Sequence, residues 1–279
     1  LDDGYGAQFH DLANLLGWAK LERYIAEDLL GARMCHCYGN LFSDSMVRVV
    51  FNRAMAMIDK YGTPGSFVNG NTIDYGVDIS RNYGALCAYS LADIICQMKY
   101  PTGYAIAPVP LTEAVRVPSA DEMLEAHRTV DMMIEKAPYY EKFINWDKIN
   151  AEAEILVAGG NIFFERVLNG LDDMGVDINH AGQVSAVLKA IGPEQLEIAF
   201  GAGLSDKNAM RGRVPIRPTS IIQTIGKIQD DVISKQDFEK KPLEGINIVL
   251  GSTDVHEFGK EIIKNVVKKA GANVFDLGT

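Results

Sequence analysis

The loop Asp254-Val255-His256-Glu257-Phe258-Gly259 concentrates more potential chemistry than any other stretch of the chain. A neutral imidazole nitrogen can ligate a borderline-soft metal, and a carboxylate two residues away can accept the other ring proton and raise the donor's basicity. His256 would then be the metal ligand and Asp254 the group that orients its ring. Gly259 would let the backbone come close to a ligand. The plainer alternative is a loop histidine satisfied by a local carboxylate. Cys35-His36-Cys37 is a second cluster, but on a strand the two thiols point to one face and the imidazole to the other, so three ligands do not converge and buried thiols are expected. Arg211, Arg213 and Arg217 could clamp a carboxylate or a phosphate, or could simply form a solvated basic loop. His10, His36, His127 and His180 lack ligand spacing and read as structural or surface groups.

The elements that must position these residues follow from apolar periodicity. Leu12, Leu15, Leu16, Ala19, Ile25 and Leu29 predict a helix over 9–30 that stops at Gly31. Met46, Val49, Val50, Arg53, Met57 and Ile58 predict another over 43–61, and 77–98 reads as a long, mostly buried helix. Short candidate strands begin near 32, 66 and 103, so strand and helix alternate about every 35 residues, as parallel pairs with helical crossovers require. Ser119 and Glu122 have capping-box spacing and open a helix expected to end at Pro138. Asn150 to Met174 is a further helix, ending at Gly175. Two short helices, 184–191 and 194–200, flank Gly192-Pro193, and residues 201–218 should wander over a surface. Asn69, Asn71, Asp74 and Tyr75 follow the second strand, where barrel enzymes place site groups, although Asn, Gly and Asp also cluster in ordinary turns.

Beyond a Lys- and acid-rich run over 227–244 come the apolar Ile246–Leu250, the histidine loop, an amphipathic segment through Ala270, and a final strand over 273–277. Strand, loop, helix and strand form the first βαβ of a doubly wound fold, whose ligands bind at the carboxyl ends of the strands. The expected division is 1–225, a linker at 226–244, and 245–279.

Composition narrows the function classes. The 279 residues carry 27 Lys+Arg against 37 Asp+Glu, a formal charge of −10, so nucleic acid is not an expected partner. No stretch resembles a membrane span or a signal peptide, and the expected compartment is the cytoplasm.

The Asp254-x-His256-x-x-Gly259 pattern resembles the signature of cobalamin-binding domains. The resemblance implies that His256 displaces the cofactor's own base and ligates cobalt from below, with Asp254 behind it. The family's later Ser-x-Leu and Gly-Gly elements have no counterpart before Thr279. Upstream, residues 32–225 resemble the barrel-forming large subunit of glutamate mutase, the adenosylcobalamin-dependent methylaspartate mutase, over its last three strands and C-terminal extension. The shared landmarks, in order, are Cys37-Tyr38-Gly39-Asn40, Lys60-Tyr61-Gly62, Asp78-Ile79-Ser80-Arg81-Asn82-Tyr83-Gly84, Thr112-Glu113-Ala114-Val115-Arg116-Val117-Pro118, Asn208, and Val214-Pro215-Ile216-Arg217.

The resemblance implies an α/β chain: the C-terminal part of a (β/α)8 TIM-type barrel followed by the start of a Rossmann-like cobalamin-binding domain. It implies that Glu113 hydrogen-bonds the ribose of the adenosyl group, although Glu113 could instead merely lead into the helix at Ser119. The family's lysine near the end of that strand has no counterpart in Ala107 to Pro110. Arg217 matches the family and joins the cofactor-binding candidates. The expected activity is a radical carbon-skeleton rearrangement of a small acid, an isomerase reaction. Its catalytic residues are expected upstream of Leu1, so the chain reads as a fragment completed by missing segments or by homo-oligomerisation. The alternatives are a corrinoid methyl carrier, which is normally preceded by a small helical cap, and an unrelated barrel protein with an incidental histidine motif.

Overall fold

A computed structural model describes residues 1, 5–40, 42, 44–61, 67–68, 70–219, 227, 230–231, 234, 240–252 and 257–277. Helices predominate and short parallel strands lie among them. Helix α1 (Leu12–Arg23) is capped by Asp11, passes into a π-helical turn (Tyr24–Leu29) and ends where Gly31 takes a positive φ. β1 (Cys37–Tyr38) leads to α2 (Ser45–Ile58), β2 (Phe67–Val68) to α3 (Ile79–Lys99), and β3 (Ala105–Ile106) to α4 (Ala120–Glu141). Asp44, Asp78 and Ser119 cap these helices by accepting first-turn amides, which supplies partners that a helix start otherwise lacks. The capping box read from Ser119 and Glu122 is present. Arg116 also engages Glu122 and holds its carboxyl down at about 2.

The three strands form one parallel sheet in the order β1-β2-β3, with Cys37, Phe67 and Ala105 in register, followed by Tyr38, Val68 and Ile106. This is the repeating βα array expected over residues 32–108, and among the described residues it does not close into a barrel. Tyr38 and Val68 are buried beneath helices α1, α2 and α5, whereas Cys37 and Ala105 on the opposite face are exposed. The alternation expected along Cys35-His36-Cys37 therefore holds, with His36 inside and held by Glu22 at 2.8 Å. The expectation of buried thiols fails for Cys35 and Cys37 because no described element covers their face of the sheet.

The main core is built on α5 (Trp146–Asp173), whose Ile149, Ala153, Leu156, Phe163, Val167 and Leu171 recur at helical spacing and are buried. At about 1.5–3 kcal/mol per large apolar side chain, this stripe is a principal source of the fold's stability. α1 crosses α5 closely enough that a Cβ on Gly17 would lie 2.7 Å from the Gly160 carbonyl oxygen. Small residues are required there because a backbone carbonyl cannot move aside as a side chain can.

Two segments differ from the sequence reading. α4 runs through Pro138 to Glu141; a proline in the last turn removes only one N–H where few helical bonds remain, and Trp146 Nε1 anchors Glu141 at 2.7 Å. Residues 201–218 do not wander. They form a two-stranded antiparallel hairpin, β4 (Leu204–Ser205) with β5 (Arg213–Val214), and return to the start of α1. Two buried carboxylates supply the reason, since a buried charge must find donors. Asp11 accepts the backbone N–H groups of Ile216 at 2.7 Å and Arg217 at 3.0 Å. Glu197, on α6 (Ala181–Phe200), accepts the amides of His10 and Asp11, the Asn14 side chain and the Arg211 guanidinium. The interruption expected at Gly192-Pro193 is present inside α6, where Gly192 takes φ 77°.

After Gly245, β6 (Asn247–Leu250), α7 (Glu257–Lys269) and β7 (Asn273–Asp276) form a βαβ unit whose strands pair in parallel, Leu250 beside Asp276. Lys260, mostly buried, binds Asp276 at 3.0 Å, and Lys264 reaches the same carboxylate at 2.9 Å.

Candidate functional site

A set of polar side chains is tied together at the carboxyl ends of β1, β2 and β3. The first loop is held by Arg48 of α2, which donates to the Gly39 carbonyl at 2.6 Å and forks onto Asp93 of α3 with two bonds of 2.7 Å. Asn52 adds a third donor to Asp93 at 3.1 Å and accepts from the Tyr38 hydroxyl at 2.5 Å. Burial pushes the Asp93 carboxyl up, and the Arg48 charge opposes that shift. Asn40 then accepts from both the backbone and the hydroxyl of Thr72, which ties the first loop to the second.

Of the residues expected after β2, Asn69 lies outside the described residues. Asn71 and Asp74 bond each other at 2.8 Å, and the Asn71 oxygen accepts the Ile73 amide, an Asx-type turn. Tyr75 is buried and donates to the Val109 carbonyl at 3.0 Å, while the Val109 amide donates to Tyr89 at 2.8 Å. Burial pushes the Tyr75 phenol up, and its neighbours Tyr89, Cys87 and Glu113 add to the shift. Glu113 is thus near Tyr75, exposed at the head of the β3 exit turn.

The three arginines of the 211–217 segment are anchored by structural partners. Arg211 serves Glu197, and Arg213 donates to the carbonyls of Ile198, Ala199 and Gly203. Arg217 binds Glu152 at 2.6 Å and its own Ile216 carbonyl at 2.8 Å, with its side chain 39% exposed. Among the described residues Glu113 and Arg217 make no contact with each other.

Asp254 and His256 lie outside the described residues. Gly259 is on the first turn of α7, exposed, and among the described residues nothing lies within 4 Å of where a Cβ would stand. β6 ends at Leu250 and α7 begins at Glu257, so these two elements bracket Asp254 and His256 in sequence. Among the described residues no three His, Cys, Asp or Glu side chains converge to hold a metal, and no helix is long and apolar enough to cross a membrane.

Arg48, Asn52 and Asp93 were not singled out by sequence reasoning, and Asn82 entered it only as part of the Asp78–Gly84 landmark. A charged residue inside an apolar helical run was the available signal: Arg48 follows Val47 and precedes Val49, and Asp93 lies between Ala92 and Ile94. No family model matches this chain, and no curated protein or solved structure does either.

Proposed function

We propose that this chain belongs to an adenosylcobalamin-dependent carbon-skeleton mutase, an isomerase acting on a small acid of the glutamate or methylaspartate kind. The observation that carries the reading is the parallel pairing of β6 with β7, with α7 starting at Glu257. In sequence the Asp-x-His-x-x-Gly motif lies between β6 and α7, and on this reading it sits at the end of a strand, where doubly wound folds bind ligands. A parallel strand–helix array upstream favours a mutase barrel over a methyl carrier's helical cap.

The residues present suit a corrinoid. No described atom lies within 4 Å of where a Cβ on Gly259 would stand, so this position does not obstruct a ligand, and a histidine with a carboxylate two residues away in sequence is a suitable nitrogen donor for cobalt. His256 would hold the metal and Asp254 would orient the imidazole. The chemistry supplied by adenosylcobalamin when bound is hydrogen abstraction by a carbon-centred radical. In the array, Glu113 accepts the ribose hydroxyls as a charged acceptor. Tyr75, whose buried phenol lies near the Glu113 charge, borders this position, and Arg217 offers the exposed part of its guanidinium to an anionic group. The same reading accounts for the open face at Cys37 and Ala105, which would line the lumen of a barrel completed by further strands or a second copy.

The test is electron paramagnetic resonance of the full-length protein with cobalt as Co(II) and histidine alone labelled with 15N. The expected result is a nitrogen splitting that changes on labelling, loses that change in His256→Ala and keeps it, weakened, in Asp254→Asn. A splitting indifferent to histidine labelling overturns the assignment.

A further inference from the structure

The adenosyl contact depends on where one short turn is held, and a single amide spans both sides of it. Asn82, fully buried in the first turn of α3, accepts the Gly76 N–H at 2.9 Å and donates to the Gly76 carbonyl at 2.8 Å. That reciprocal pair fixes the plane of the amide. Its remaining N–H donates to the Leu111 carbonyl at 2.7 Å. Both donors and the acceptor of the side chain are therefore committed to backbone.

Of the backbone groups held this way, Leu111 lies two residues before Glu113 and Gly76 directly follows Tyr75. Leu111 opens the turn in which the Glu113 amide donates to Pro110 at 3.1 Å and the Val115 amide to Thr112 at 2.9 Å. Thr112 does not stiffen that turn through its side chain, because its buried hydroxyl has no partner among the described residues. Gly76 directly follows Tyr75, whose phenol lies near the Glu113 charge. Asn82 thus joins the loop that carries Tyr75 to the turn that carries Glu113.

We propose that Asn82 is the positioning residue that sets Glu113 for recognition of a ribose diol, an inference that rests on the adenosylcobalamin reading above. Removing Asn82 frees the Leu111 carbonyl and lets the turn drift while Glu113 keeps its charge.

The test compares the full-length protein with Glu113→Gln, Asn82→Leu and the double variant, titrating each with adenosylcobalamin and methylcobalamin. Both probes share the corrin, so general damage to the cobalamin domain cancels in the ratio of their affinities. Loss of a charged acceptor lowers the preference for the adenosyl form about tenfold in Glu113→Gln, on the scale of one charge-assisted hydrogen bond. Asn82→Leu lowers it about threefold to fivefold, less than removing the acceptor's charge, and the double variant loses no more than Glu113→Gln does. If Glu113→Gln shifts the ratio and Asn82→Leu does not, or if the two losses multiply, positioning by Asn82 is overturned while the adenosyl reading stands. If Glu113→Gln leaves the ratio unchanged, or the wild type binds neither cobalamin, both fall. Asn82→Ser, which keeps one hydroxyl donor, replaces Asn82→Leu should the latter not fold; a smaller shift of the same sign supports the proposal and an unchanged ratio overturns it.

Discussion

At the scale of single residues, the Arg48–Asp93 pair shows how a buried charge organises the end of a strand. Both side chains are almost fully buried, and the guanidinium also fixes the Gly39 carbonyl. Arg48→Met should destabilise the protein by about 3–5 kcal/mol in denaturant unfolding, because it strands the Asp93 carboxylate without its counter-charge. Arg48→Met combined with Asp93→Leu should recover much of that loss, since the desolvation cost disappears with the charge. A double variant no more stable than the single one would show that Arg48 acts chiefly through Gly39. The arginine was hard to read from the chain because only its partner across two helices explains it. Glu113 and Arg217, by contrast, were picked out through their motifs, but the closeness of Tyr75 to the Glu113 charge and the pairing of Arg217 with Glu152 were not, since proximity across loops leaves no trace in local spacing.

At the scale of elements, small residues at the α1–α5 crossing limit how the core can vary. Gly17→Ala places a methyl 2.7 Å from a backbone carbonyl; overpacking of this kind costs about 1–3 kcal/mol, outweighing a helix-propensity gain of about 1 kcal/mol. Gly84→Ala, on α3 with nothing within 4 Å of the new Cβ, should instead stabilise by about 0.5–1 kcal/mol. Thermal melts of the two variants, moving in opposite directions, check the assignment. Helix periodicity was the most legible feature of this chain, since Leu156, Phe163, Val167 and Leu171 repeat along one face of α5. The strands were legible as positions but not as lengths: each of the first three pairs over only two residues. The hairpin at 204–214 was missed because its order comes from Asp11 and Glu197, far away in sequence.

At the scale of the whole molecule, parallel sheets are normally buried on both sides, yet among the described residues no element covers the face of β1–β3 that carries Cys37 and Ala105. Thiol chemistry can report this directly. Cys35 and Cys37 are exposed on or beside that face, whereas Cys96 is buried, and burial pushes its thiol up to about 12. In the native chain a maleimide at neutral pH should label Cys35 and Cys37 readily and leave Cys96 until denaturant is added. Under the proposed mutase reading, further strands or a second copy that covered this face would protect Cys37. Persistent labelling of Cys37 in the assembled protein would show that its face stays open.

The Asp11 contacts with Ile216 and Arg217 also have a temporal consequence. They join residues 205 and 206 positions apart, so the beginning of α1 cannot receive these partners until the ribosome has released the hairpin far downstream. Closing so long a span carries a large ordering entropy, and proteins rich in distant contacts fold slowly. Helix α1, synthesised long before the hairpin, therefore gains its full set of native partners late, and Asp11 must remain hydrated throughout that interval.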